Sequence, residues 1–481
     1  MADRQDYEKA MSLAEAGQYE QALSAIAEYL RGEPQDGEAL NDAGALLHCL
    51  GRSNQAIDYV VKARKLRPDD KQVLMNLLEI YLAAGEPRQA EQLFEEAQRM
   101  GILNPELMNR TAKFFLDQGD KAGAVEVLLR SLDCWGGQEI LEHMLTVIKS
   151  KRPKLAFICG GDGTMFLNPL SDYLAKRFEV RFFSGKTEQE LYALMQWSDI
   201  TWFEWCTNLA VVGLRGPKVC KTIVRLHRYE AYLDYVQQAN WSNVDVLITV
   251  GNSYVKQAMF DSIGKLPATT KMVTIPNGVS LDKIEFVNRP RGKNLACVGY
   301  INMRKNPMFL LQCMRRLVSI DSQYKLYFAG VFQDSMLEQY IKHVVEKLEL
   351  DGAVFFDGWQ GDVAGWLGDK HYVVSASIAE SQGMGLMEGI AAGLKPVIHN
   401  FAGASEIYPQ DYLFNTAEEF CEMIVSGSYE PKRYRQFIEQ NYPQDEQSIR
   451  VNELIVELEK QIDGQKQNVP ADTITIDAFG N

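Results

Sequence analysis

Gly17, Gly51, Gly85 and Gly119 stand 34 residues apart, and Ala22, Ala56, Ala90 and Ala124 recur in step with them. Pro34 and Pro68 keep the same period. A fixed period of this length means one supersecondary unit used several times, because a single unit cannot cover its own apolar face. Thirty-four residues hold two antiparallel helices, with Gly and Ala expected where the helices pack closely. Four units suffice for a continuous core. Residues 1–150 are therefore predicted to be an all-helical array, and Lys151-Arg152-Pro153 to mark its join to a different architecture.

Beyond that join the pattern changes. Apolar runs of strand length, Leu155-Ala156-Phe157-Ile158-Cys159, Thr222-Ile223-Val224-Arg225-Leu226, Leu295-Ala296-Cys297-Val298-Gly299 and Leu326-Tyr327-Phe328-Ala329-Gly330, alternate with helical stretches. That alternation predicts α/β lobes with parallel sheets. The segment Asn288-Arg289-Pro290-Arg291-Gly292 reads as a linker. The expected division is 1–150 repeats, 151–290 first lobe, 291–464 second lobe with final helices packing back, and 465–481 a polar, flexible tail.

The densest chemistry lies between residues 375 and 397. Tyr372-Val373-Val374 reads as a buried strand and the run from Leu386 to Gly393 as the helix after it, with Gly383-Met384-Gly385 between. Glycines let a ligand approach the backbone, and a helix start offers unpaired amides and a positive dipole end to a diphosphate. Glu380 at the strand end can accept bonds from sugar hydroxyls. Glu388, inside the helix, can take a ribose diol.

This segment resembles the donor site of the glycosyltransferase group 1 family, and the 34-residue period resembles the tetratricopeptide repeat. The first resemblance implies retaining enzymes of the GT-B fold, two Rossmann-like doubly wound lobes, here behind an all-α repeat solenoid. It implies donor contacts from Glu380, Gly383, Met384, Gly385, Leu386 and Glu388. It also implies a basic phosphate contact in Arg304-Lys305-Asn306-Pro307, best assigned to Lys305. The family commonly has Arg directly after the strand glycine Gly299, where this chain has Tyr300, so Arg304 is the expected substitute. His227, at the end of the strand Thr222 to Leu226, matches a His that faces the donor sugar across the cleft. His227, Glu380 and Lys305 are thus the expected catalytic set, with a nucleoside diphosphate sugar as co-substrate and neither cofactor nor metal required. Trp359 is a candidate platform for the base, and Ile275-Pro276-Asn277-Gly278-Val279 reads as a structural turn.

Gly160-Gly161-Asp162-Gly163-Thr164 carries the GGDGT string of NAD and diacylglycerol kinases, but the other landmarks of those kinases are missing. Gly160, Gly161 and Asp162 are read instead as the acceptor-side loop after the first strand. The net charge of −14 disfavours nucleic acid and anionic membranes, and no apolar run has the length of a membrane span. Eight scattered cysteines without a CxxC pair fit a reducing, cytoplasmic setting. The repeats imply a captured polypeptide, with transfer to Ser or Thr of a protein such as a flagellin or surface adhesin, and offer a surface for self-association. Two alternatives stand beside this: saccharide or lipid-linked acceptors in cell-surface polysaccharide synthesis, and a nucleotide-sugar-binding scaffold without turnover.

Overall fold

The computed structural model describes residues 4–149, 153–160 and 164–467, which divide into two compact units. The first comprises the chain up to Pro153 together with Lys176–Phe178. Its helices run Arg4–Glu15, Tyr19–Gly32, Gly37–Cys49, Ser53–Leu66, Lys71–Ala83, Pro87–Gln92, Phe94–Arg99, Pro105–Asp117, Lys121–Cys134 and Glu139–Lys149. Each periodic glycine lies in the turn inside a repeat, at φ +76°, +72°, +79° and +84° in chain order. A Cβ added to Gly17 or Gly51 would meet nothing within 4 Å. Left-handed backbone, and not space, therefore requires glycine there, which corrects the expectation of a packing role.

The alanines do fill that role. Ala22, Ala56, Ala90 and Ala124 are wholly buried at the start of each second helix. A third series keeps the same 34-residue step: Asp36, Asp70 and Asn104 cap the first helices of successive repeats. Asp36, for example, accepts from the amides of Glu38 and Ala39 at 3.0 and 3.1 Å. Such caps satisfy amides that a helix start leaves unpaired, each contributing about 1 kcal/mol.

The second unit contains two parallel six-stranded sheets. The first is built from β1 (Lys154–Ile158), β2 (Glu179–Phe182), β3 (Ile200–Glu204), β4 (Lys221–Leu226), β5 (Val246–Thr249) and β6 (Lys271–Thr274), in the order β2-β1-β3-β4-β5-β6. The second is built from β7 (Asn294–Val298), β8 (Lys325–Ala329), β9 (Val354–Gly358), β10 (Tyr372–Ser375), β11 (Lys395–His399) and β12 (Leu413–Phe414), in the order β12-β11-β10-β7-β8-β9. Strands buried on both faces explain the near-continuous apolar runs. In each sheet the strand order reverses once, between β1 and β3 and between β7 and β10. Such reversals open a crevice at the carboxyl ends of the strands.

The last helix, Gln444–Gln467, leaves the second lobe and returns to the first sheet. There Lys221 Nζ donates to Gln461 at 3.0 Å and Arg450 to the Thr274 carbonyl at 2.6 Å. The helix continues three residues past the expected boundary at 464, and most of the expected tail lies outside the described residues. No described helix is long and apolar enough to cross a membrane.

Candidate functional site

The crevice between β7 and β10 gathers most of the expected donor residues. After β7, Gly299 takes φ +121°, and Gly330 and Gly358 at the ends of β8 and β9 take +149° and +71°. A Cβ on Gly330 would lie 2.1 Å from the Gly299 carbonyl oxygen, so these strand ends are bare backbone by necessity. Asn302 then caps a short turn by accepting from the Lys305 amide at 3.1 Å. Asn306, in left-handed conformation at φ +48°, hands over to Pro307 at the first position of the helix Pro307–Ile320. This arrangement explains the sequence Arg304-Lys305-Asn306-Pro307 in local terms. The turn is pinned to the β10 loop by the Ile378 amide, which donates to the Arg304 carbonyl at 2.9 Å.

Both cations converge on Glu380. Lys305 Nζ lies 2.7 Å from its Oε1 and Arg304 Nη1 3.0 Å from its Oε2, while Ser377 Oγ donates to Oε1 at 2.9 Å. Burial pushes the Glu380 carboxyl up, but Lys305 and Arg304 outweigh it and hold the group below its ordinary value. Glu380 is therefore ionised, with two donors on Oε1 and one on Oε2. A ligand that engages it shares these partners.

The helix after the Gly-rich turn runs Met384–Ala391, starting two residues earlier than the sequence pattern suggested. Gly383 is its cap at φ +77°. Gly385 is fixed by space, since a Cβ there would lie 2.7 Å from the Val298 side chain. The amides of Met384 and Gly385 have no acceptor among the described residues, whereas the Leu386 amide donates to the Gly383 carbonyl at 3.0 Å. The Gly383 amide likewise has no acceptor among the described residues, so the cradle runs from Gly383 to Gly385, one amide shorter than the expected run from Gly383 to Leu386. Glu388, one turn further, has no ion-pair or hydrogen-bond partner among the described residues, and burial lifts its carboxyl to about 7.

The first lobe contributes His227, one residue beyond β4. Its Nε2 lies 2.6 Å from Glu204 Oε1, and its ring sits 5.3 Å from the Trp205 ring. The next residue, Arg228, is half-buried and has no anionic partner among the described residues. Burial and the facing Arg304 both depress its guanidinium, so it stands among like charges with Glu380 as the counterweight. Sequence reasoning passed over Arg228, although it directly follows the marked histidine.

Lobe-to-lobe contacts lie close by. The Asn277 amide donates to Gln382 Oε1 at 2.7 Å, and Gln382 Nε2 donates to the Asn277 carbonyl at 2.8 Å. The turn around Asn277 thus ties to the donor loop in addition to closing a domain. Asn252 Nδ2 also donates to the Glu380 carbonyl at 3.3 Å. Tyr300 and Trp359 pair with ring centroids 5.6 Å apart, both exposed at the strand ends. Of the acceptor-side residues, Gly160 follows β1, whereas Gly161 and Asp162 lie outside the described residues.

Residues 282–441 match the family model of glycosyl transferases group 1. Residues 7–71, 49–105 and 76–139 match the tetratricopeptide repeat model. The second lobe is a group 1 glycosyltransferase domain, and the N-terminal helices are tetratricopeptide repeats. At the level of sequence, no curated protein matches the chain.

Solved structures share the lobes' fold. A glycosyltransferase from Rickettsia africae superposes with a TM-score of 0.52 at 14% identity, over 65% of this chain and 99% of that one. Anabaena Alr3699/HepE in complex with UDP gives 0.50 at 13% identity, over 66% and 100%. The pneumococcal O-GlcNAc transferase GtfA, in complex with UDP and GlcNAc, gives 0.46 at 14% identity. That match covers 56% of this chain and only 59% of GtfA. The two lobes have the GT-B fold, and the predicted order of repeats, first lobe and second lobe is the order along the chain.

Proposed function

We propose that this chain is a retaining glycosyltransferase that moves a sugar from a nucleoside diphosphate sugar, with UDP as the leading carrier, to a hydroxyl acceptor. One observation carries the reading. At the reversal of the second sheet two cations, Arg304 and Lys305, pair with a single ionised carboxylate, Glu380, beside the amides of Gly383, Met384 and Gly385, which have no acceptor among the described residues, and Arg228 of the first lobe feels the fields of both Arg304 and Glu380. Two cations beside a row of unpaired helix-start amides suit the diphosphate of a sugar nucleotide. The crevice is thus built for an anion of that size.

In this reading the diphosphate lies against Met384 and Gly385, and Lys305, Arg304 and Arg228 neutralise the charge that grows on it as the glycosidic bond breaks. They serve in place of a metal ion. Glu380 lends an oxygen to the sugar hydroxyls and Glu388 accepts the ribose diol. His227 approaches the sugar from the first lobe. The acceptor oxygen attacks the anomeric carbon on the face the diphosphate leaves, which gives retention without an enzyme nucleophile.

The repeats point to a polypeptide acceptor, since stacked helix pairs form a concave surface suited to an extended chain. Donor and acceptor are tested separately. UDP-, GDP- and dTDP-linked hexoses are screened for thermal stabilisation and for nucleoside diphosphate release. Silence towards all of them refutes the transferase reading. Labelled sugar is then offered with total cell protein and, in parallel, with the lipid and glycan fractions. Label confined to lipid or glycan refutes the protein acceptor.

A further inference from the structure

Glu204 ends β3 and is 1% exposed. Three donors converge on its carboxylate. Trp202 Nε1 donates to Oε2 at 2.8 Å, while His227 Nε2 at 2.6 Å and Arg225 Nη1 at 3.4 Å meet Oε1. Strand register explains the convergence: Glu204 and Arg225 are paired across β3 and β4, and His227 lies two residues beyond Arg225. Burial raises this carboxyl, yet Arg225 and His227 hold it below its ordinary value. An ionised carboxylate only accepts, so the ring must present Nε2–H to it.

His227 is gripped elsewhere too. Glu230 Oε1 accepts its backbone amide at 2.7 Å. Trp205, one residue past Glu204, is held at φ +66°, a region aromatic residues avoid, by its amide bond to the Arg225 carbonyl at 3.0 Å. That conformation sets the indole beside the imidazole. The second arm of Arg225 reaches Asn277, which exchanges two bonds with Gln382 of the donor loop. A continuous run of bonds thus joins the imidazole to the loop that carries Glu380 and Gly383.

We propose that Glu204 is the positioning residue for His227, fixing the imidazole as its Nε2–H tautomer and aiming the ring from β4 into the crevice. The proposal deepens the transferase reading of this site and rests on it. If Glu204 served only to neutralise Arg225, the ring would need no bond to it.

The test uses the full chain labelled with 15N-histidine, with His227→Asn assigning the His227 resonances. Removing Glu204 alone strands a buried guanidinium, so the variant is Glu204→Leu/Arg225→Met, with circular dichroism checking its fold. If it does not fold, the isosteric Glu204→Gln carries the same measurements. The hydrogen-bonded Nε2–H resonance should disappear, or move upfield in Glu204→Gln. The kcat for hydrolysis of UDP-glucose or UDP-N-acetylglucosamine should fall on the order of 100-fold, while the Kd for UDP stays within about twofold because the variant leaves Lys305, Arg304, Arg228 and the amides after Gly383 in place. A resonance that stays at its wild-type position, or an unchanged turnover, overturns the proposal. If the wild-type protein hydrolyses neither donor, the wider donor screen decides the transferase reading and the resonance alone decides the positioning role.

Discussion

Glu388 offers a stability test that needs no substrate. Its carboxyl has no partner among the described residues, and burial alone lifts it from 4.5 to about 7. At about 1.36 kcal/mol per pKa unit, that rise places roughly 3 kcal/mol of destabilisation on the ionised form. The folded value lies above the unfolded one, so the contribution to stability is fully present below pH 4.5 and is lost as pH rises through 7. Glu388→Gln removes the charge without stranding any cation. At pH 8.5 the variant should therefore be more stable than the wild type by about 3 kcal/mol, a rise of about 5 °C in Tm for a unit of this size. At pH 4.5 the two proteins should melt together. Urea and thermal unfolding at both pH values, compared pairwise, provide the assay. An equal difference at the two pH values would mean that the carboxyl is not held neutral by burial, and the reasoning fails. The same variant should weaken UDP-glucose binding at pH 8.5 about tenfold or more, since a bond to a charged acceptor contributes about 1.5–3 kcal/mol.

Lys305→Ala should slow nucleoside diphosphate release on the order of 100-fold, and full activity in steady-state kinetics would refute its phosphate role. Arg228→Gln should weaken UDP-glucose binding by about 1–3 kcal/mol and flatten its salt dependence. Calorimetry at two ionic strengths checks this, and unchanged affinity removes Arg228 from the site. Gly51→Ala should destabilise the repeats by about 1–2 kcal/mol through backbone conformation alone, since the new methyl meets no atom within 4 Å. A urea melt that shows no loss would refute the conformational account.

The large divisions of the chain were legible because they rest on periods. The 34-residue step of glycine and alanine marks the repeats, and apolar runs mark strands buried on both faces. Glu380, Lys305 and Arg304 could each be singled out in the sequence. Their mutual pairing could not, because it arises where the β7 and β10 loops meet across the sheet, a juxtaposition that no local spacing encodes. Glu204 was hidden for the same reason. In sequence it is one acid within the aromatic string Trp202-Phe203-Glu204-Trp205, and only the register of β3 on β4 brings it to His227. Asp36, Asp70 and Asn104 were different. Their 34-residue step was in plain view, but Asn104 replaces Asp in the fourth repeat, so the series reads as a cap position and not as one residue type.

That series also makes the helical array modular. Each repeat after the first carries its own start signal and its own reversal, so inserting or excising 34 residues at equivalent glycines would preserve each junction. The array is therefore a ruler whose length evolution or engineering can set in whole steps of 34 residues.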